Sequence, residues 1–156
     1  PFVTFVTKGG KRFSFSAFVV SGDGEGRVGI GIGKSKDVSS AIAKATNRAR
    51  KGMFKVALRG STIPYEVSGQ HGASDVLLMP AYPGTGLIAG GAIRSVMKAA
   101  GIKDVLAKAV GSRRSGQNLV KATLNALSKC RTAAHLAHLR GKTIQEVVKG
   151  SHAEVA

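Results

Sequence analysis

The stretch Gly22-Asp23-Gly24-Glu25-Gly26-Arg27-Val28-Gly29-Ile30-Gly31-Ile32-Gly33-Lys34-Ser35 decides how the chain folds. Its first part, Gly22 to Gly26, alternates glycine with an acidic residue and reads as a turn. Its second part alternates Val28, Ile30 and Ile32 with Arg27, Gly29, Gly31 and Gly33, the period of a strand. One face of that strand is nearly bare, so another backbone or a helix can come close. As a string, Gly24-x-Gly26-x-x-Gly29 fits the dinucleotide fingerprint. That fingerprint needs a strand before it and a helix opening from it. Here a strand follows. The P-loop pattern fails too, because Val28 stands where its first glycine belongs. The stretch is a Gly-rich hairpin turn leading into a closely packed strand.

Upstream, residues 2–7 are apolar and β-branched and read as a strand. Lys8 to Lys11 form a turn around Gly9-Gly10, and residues 12–21 form a second strand. Within it, Lys11 to Phe18 partly matches an RNA-recognition-motif signature, but Arg12, Ser14 and Ser16 break the pattern. Phe13 and Phe15 are therefore expected in the core. Downstream, Asp37 or Ser39 can cap a helix with Val38, Ile42, Ala45, Ala49 and Met53 as its apolar stripe. Lys44, Arg48, Lys51 and Lys55 follow at spacings of four, three and four, which puts them on one helix face near Asn47. The first unit is strand–strand–strand–helix and ends near Lys55.

Residues 59–62 break the pattern and read as a linker. Strands are expected over 62–67 and 74–79, joined by a turn at 69–72. A Pro- and Gly-rich loop over 80–86 leads into a helix over 87–100, stopped by Gly101. A strand over 103–110 comes next, then a helix over 115–128 with Leu119, Leu124 and Leu127 as its core stripe. A short helix spans 132–139, and Thr143 to Glu146 has the spacing of a capping box opening a last helix. The fold class is α+β, in two domains, 1–57 and 58–156.

Charge bounds the function. The 156 residues include 24 Lys and Arg against 8 Asp and Glu, a formal charge of +16. Each half, split after residue 70, carries +8, so no neutral domain trails a basic tail. Self-repulsion of this size adds nothing to stability and points to an anionic partner. The region 27–59 is densest, with Arg27, Lys34, Lys36, Lys44, Arg48, Arg50, Lys51, Lys55 and Arg59 against Asp37 alone. These cations are interleaved with apolar residues, as on a folded surface that tracks a phosphate backbone. No apolar run is long enough for a membrane span, and no signal-peptide pattern opens the chain. The chain begins at Pro1 without Met, as expected if an N-terminal piece was removed or left out.

Chemistry-bearing constellations are few. Cys130, His135 and His138 could supply soft ligands, but a fourth, His152 or His71, is remote, so no metal is expected. The lone Cys130 cannot form an internal disulfide. Between Val67 and Ile144 the only acids are Asp75 and Asp104, too few for the Mg²⁺ holders that phosphate enzymes use. The run Pro83 to Ala92 is the sharpest enzyme candidate, a Gly-rich loop opening a helix. It resembles the phosphate loop of the galactokinase, homoserine kinase and mevalonate kinase group. The alternative is that Gly90 and Gly91 let that helix pack tightly on the sheet.

Taken in order, these segments resemble one family. GDGEGRVGIGIGK, the helix Ala41 to Arg50, and the run from Pro80 to Ser112 containing Gly84-Thr85-Gly86 and Ala89-Gly90-Gly91-Ala92-Ile93-Arg94 are similar to the bacterial-type small-subunit ribosomal protein five family. Asn118-x-Val120-x-Ala122-Thr123 and Arg140-Gly141-Lys142 extend the match over roughly the whole chain. The resemblance implies an N-terminal domain like a double-stranded-RNA-binding domain, with a three-stranded antiparallel sheet and a helix. It implies a C-terminal domain with the fold of the kinases just named but without their chemistry, so no catalytic residue and no cofactor. It implies a structural constituent of the small (30S) subunit that binds 16S-type ribosomal RNA and supports subunit assembly and translational accuracy. The hairpin Lys8-Gly9-Gly10-Lys11-Arg12 matches the family loop that reaches ribosomal RNA. Gly86 and Arg94 match positions at the contact with ribosomal protein four, and ribosomal protein eight is a further expected neighbour. The messenger RNA entry path lies near, and the expected location is the cytoplasm or an organelle of bacterial descent. Three features depart from the pattern: Phe5 where members often carry Lys, Tyr82-Pro83 in place of an acidic residue, and the segment Cys130 to His138.

Overall fold

The computed structural model describes residues 2–149. Strands β1 (Phe2–Thr7), β2 (Gly10–Gly22) and β3 (Arg27–Ser35) run as an antiparallel meander. Helix α1 (Val38–Lys51) follows, with the Asp37 carboxylate accepting from the Ser40 N–H at 3.3 Å. The helix ends at Gly52, short of the expected Lys55. The chain then turns back as β4 (Phe54–Lys55), which pairs with Arg27 and Val28 of β3. The first sheet therefore has four strands, not three, in the order β1-β2-β3-β4. Glycine is a poor helix residue, and stopping at Gly52 lets Phe54 pack beside the core. Lys55 consequently lies on a strand, away from the helical row it seemed to extend.

The bare face of β3 holds α1. Ala41, Ala45 and Ala49, spaced by four, are essentially fully buried. A Cβ on Gly33 would overlap the Ala41 carbonyl, one on Gly31 the Ala45 carbonyl, and one on Gly29 the Ala49 carbonyl. The helix thus lies closer to the sheet than side-chain-bearing strands allow. Only an alanine ridge fits at that spacing, which corrects the expected stripe: Val38 and Ile42 are about half exposed, at 46% and 48%.

The second unit opens with the hairpin of β5 (Val67–His71) and β6 (Ser74–Pro80). Short β7 (Leu87–Ile88), helix α2 (Gly91–Ala100), β8 (Val105–Ala109), α3 (Gly116–Lys129), α4 (Ala133–Arg140) and α5 (Ile144–Lys149) follow. The sheet order is β5-β6-β8-β7, with β7 parallel to β8. Four expectations need correction. The strand placed over 62–67 starts only at Val67, where Pro64 has been passed and every residue can donate to the ladder. Gly69, read as part of a turn, is inside β5, where a Cβ would overlap the Ala122 carbonyl of α3. The helix placed over 87–100 begins at Gly91, because Leu87 and Ile88 pair with Val105 and Leu106. Gly90 and Gly91 have open space around them, so tight packing is not their role. The Thr143 box forms: Glu146 accepts from the Thr143 N–H at 2.8 Å, and Thr143 Oγ1 accepts from the Glu146 N–H at 3.4 Å.

One core runs through both units. Val28 and Val56 join Ile63, Leu78, Ile93, Val96, Met97, Ile102, Val105 and Leu127 in it. The Gly22 to Gly26 turn makes the junction. The Gly24 N–H donates to the Ala99 carbonyl at 3.1 Å and the Gly26 N–H to the Ala100 carbonyl at 2.9 Å. These are carbonyls of the last turn of α2, which have no partner within the helix. Asp23 holds the turn, its Oδ1 accepting from the N–H groups of Glu25 and Arg27 at 2.8 and 2.9 Å. Gly101 ends α2 in the left-handed region (φ 79°), and the Gly24 carbonyl occupies the place of its missing Cβ. The donors a dinucleotide loop would offer to pyrophosphate are thus used to join the two units.

Candidate nucleic-acid interface

The basic residues singled out in the first unit, Lys8, Lys11, Arg12, Arg27, Lys34, Lys36, Lys44, Arg48, Arg50, Lys51, Lys55 and Arg59, are all exposed, as are Gly9 and Gly10. Nine of the twelve cations form three groups; Lys34, Lys36 and Arg50 stand apart. The first is the β1–β2 hairpin tip, where Thr7 pairs with Gly10 and Phe5 with Arg12. The tip is narrow and carries Lys8, Lys11 and Arg12 with no acidic residue from 2 to 22.

The second group is the flank of α1. Lys44, Arg48 and Lys51 share it, beside the buried alanine ridge. The Arg48 guanidinium donates to the Ile32 carbonyl at 2.7 Å. That carbonyl lies on the β3 edge beyond the reach of β4, which pairs only with Arg27 and Val28. The contact anchors the guanidinium at the sheet edge and reduces what is lost when a ligand orders it. Lys34 lies on the opposite face of β3 from α1, and Arg50 points away from this flank. One plane therefore does not hold all the cations.

In the third group Arg27 and Lys55 are directly opposite each other on β3 and β4. Like charges in that position repel at a cross-strand Cβ separation of roughly 5 Å. A phosphate between them would offset the repulsion, which the nearby Asp23 carboxylate already eases in part at Arg27. Arg59 follows on the chain that leads into the second unit.

In the second unit the Gly-rich loop is already occupied. Asp104 is 5% exposed. Its Oδ1 accepts from the N–H groups of Gly84 and Gly86 at 3.0 and 2.9 Å. A hydrogen bond from the Ser61 side chain, followed by these backbone donors, holds its carboxyl below the ordinary value. The donors that would cradle a phosphate thus face the chain's own carboxylate, which repels a second anion. The kinase-like reading of Gly84 to Gly91 loses two of its donors, at Gly84 and Gly86, to Asp104. Gly86, half-buried, is held in the left-handed region (φ 78°) by the same bond.

A pH prediction follows from Asp104. A carboxyl with a depressed folded-state pKa contributes stability that is fully present above its ordinary value of 3.8 and is lost as pH falls through the folded value. Thermal midpoints of the wild type and Asp104→Asn should differ most near neutral pH and converge in acid. A gap of equal size in acid and at neutral pH would show that the ionised carboxylate is not what holds the loop.

Arg94 is exposed in the first turn of α2. Lys108 and Arg113 stand with it around an open cavity of about 460 Å³ whose other walls are glycine and apolar side chains, among them Ile88, Gly90, Gly91 and Leu119. Sequence reasoning missed these two, because they come from β8 and the loop after it and meet Arg94 only in the folded chain. Cys130 is buried, and burial pushes its thiol pKa up. His135 and His138 are exposed. Among the described residues no group of three or more His, Cys, Asp and Glu could hold a metal ion. His152 lies outside the described residues. No helix among the described residues is long and apolar enough to cross a membrane.

Comparison with known proteins assigns this architecture. Residues 2–57 match the N-terminal domain of ribosomal protein S5, and residues 69–140 match its C-terminal domain. The chain belongs to the ribosomal protein S5 family. The small ribosomal subunit protein uS5 of Lawsonia intracellularis is 52% identical over 143 residues, 92% of this chain and 87% of that relative. The uS5 of Flavobacterium psychrophilum is 53% identical over 148 residues, 95% of this chain and 84% of that relative. The S5 family is one of ribosomal proteins, not of enzymes, which agrees with a Gly-rich loop closed on Asp104.

Proposed function

We propose that this chain is a structural constituent of the small ribosomal subunit that binds 16S-type ribosomal RNA with its first unit, 1–57, and neighbouring proteins with its second, 58–156. The carrying observation is the set of cations on the hairpin tip, the α1 flank and the Arg27–Lys55 pair, exposed on one unit around a rigid glycine–alanine core. Such a surface neutralises phosphates by position and shape rather than by reading base edges. Gly86 and Arg94 serve the second unit's contact with ribosomal protein four. Ribosomal protein eight is a further neighbour, and the messenger RNA entry path lies close by. In these roles the chain supports subunit assembly and translational accuracy.

A sucrose gradient of cell extract tests the reading. The protein should sediment with small subunits at moderate salt and be stripped from them at high salt. Recovery only in slow-sedimenting fractions would reject it. Arg94→Glu should leave the fold intact, since the side chain is exposed, and should change misreading in a reporter assay. Unchanged misreading would remove Arg94 from the accuracy-linked contact.

A further inference from the structure

We infer that Phe5 is a stacking platform for an unpaired RNA base, with Arg12 directly across the ladder for a neighbouring phosphate and Lys34 farther along the same face. The inference rests on the RNA-binding reading above and adds a contact of a different kind, to a single-stranded nucleotide.

The argument starts from strand alternation. Gly29, Gly31 and Gly33 touch α1, so the residues opposite them on β2, including Val19 and Ala17, share the helix-covered face. Continuing by twos, Phe15, Phe13 and Lys11 lie on that face, and across the ladder so do Thr4 and Val6 of β1. The aromatic residues Phe13 and Phe15 of the recognition-like motif are therefore on the helix side but beyond the helix's cover: against expectation neither joins the core, Phe15 being half-buried and Phe13 54% exposed. On the other face, Phe18, Val20 and Ile30 pack against the core shared with the second unit. Beyond them the same face carries Ser16 opposite Lys34, then Ser14 opposite Val3, then Arg12 opposite Phe5. Strand β3 ends at Ser35, and no described element covers the face past it. Phe5 is 68% exposed there, with Arg12 and Lys34 also exposed.

The chemistry of this face selects its occupant. An exposed ring on a cationic sheet surface offers a base the π-face contact that single-stranded RNA uses. Every charge nearby is positive, as a phosphate requires, with no acid from 2 to 22. A protein partner fits less well. A stable protein interface covers roughly 800 Å² on each side around an apolar centre. Here a single ring stands between Val3, Thr7 and polar or cationic groups, an area suited to one base.

The chain contains no Trp, so Phe5→Trp places a unique fluorophore at the site. In the full chain its emission should be quenched by single-stranded poly(A) and not by a blunt RNA duplex. Phe5→Ala should weaken poly(A) binding by roughly tenfold or more while leaving the salt slope unchanged, because stacking displaces no counterions. The ring is largely exposed, so its removal leaves the core intact. Unaltered affinity of Phe5→Ala, with steep salt dependence retained, would overturn the platform and leave the RNA reading standing. Equal quenching by the duplex would overturn it as well, since the ring would then be reporting groove contact. Protection of the ring by another ribosomal protein but not by naked RNA would mark a protein contact and reject the inference. Absence of salt-dependent RNA binding in every variant would remove both readings.

Discussion

Replacing Lys44, Arg48 and Lys51 together with alanine should leave the first unit folded and cut its RNA affinity by roughly tenfold or more. All three side chains are exposed on one flank of α1, and alanine is the best helix former, so the helix survives the change. Only the Ile32 carbonyl loses a protein partner, and it lies at a sheet edge that water can reach. Each neutralised phosphate contributes roughly 0.9 to the slope of log affinity against log salt on duplex DNA and roughly 0.7 on a single strand, the guide for RNA. The triple variant should therefore show a slope shallower by roughly 2 to 3. Fluorescence anisotropy with a ribosomal RNA fragment at several salt concentrations measures it. An unchanged slope would show that the flank does not touch phosphate. Arg50→Ala, on the other side of the helix, is the matched control and should change the slope much less.

Gly31→Val should destabilise the protein by about 3 kcal/mol, a large share of the stability of a small domain. The added Cβ meets the Ala45 carbonyl and, at 2.6 Å, the Ala49 backbone nitrogen. Both are main-chain atoms of α1, so no side chain can rotate out of the way. The helix would have to lift as a body and give up its contacts at Gly29 and Gly33. Denaturant unfolding of the variant gives the value. A loss below about 1 kcal/mol would mean that the helix–sheet spacing is adjustable and the glycine face is not what sets it. Gly9→Ala, at the hairpin tip with nothing within 4 Å of the new Cβ, should cost little by comparison.

These two experiments probe features of different legibility. The Gly29-Gly31-Gly33 row was visible as a bare strand face, and its consequence, close approach by a helix, is what the structure shows. The same device at Gly69 was misread as a turn, because a lone glycine between polar residues lacks the alternation that marks the β3 row. The stripe on α1 was misread for a related reason. Periodicity groups Val38 and Ile42 with Ala45 and Ala49, but only the spacing imposed by the glycines decides that the narrow Ala41–Ala45–Ala49 ridge faces inward. Lys55 was assigned to the helix face by spacing alone, while Gly52 had already ended the helix.

The site divides in the same way. Exposure of the basic residues was legible, since clustered charge without paired acids can only stand on a surface. Their separation into hairpin tip, helix flank and cross-strand pair was not, because it depends on the register of β3 with β4 and on the position of the Arg48 guanidinium.

The longer elements, the division into two α+β units and the expectation of an anionic partner were carried by local chemistry: residue period, caps, turn glycines and an uncompensated +16 charge; short β4 and β7 were not. Two other outcomes belong to the folded chain. The Gly22 to Gly26 turn closes the end of α2, and the Gly84 to Gly86 loop closes on Asp104. In both, backbone N–H groups with the composition of an anion-binding loop found internal acceptors distant in sequence. A hydrogen-bond donor is assigned by what stands within 3 Å of it, and that partner is chosen only when the chain folds.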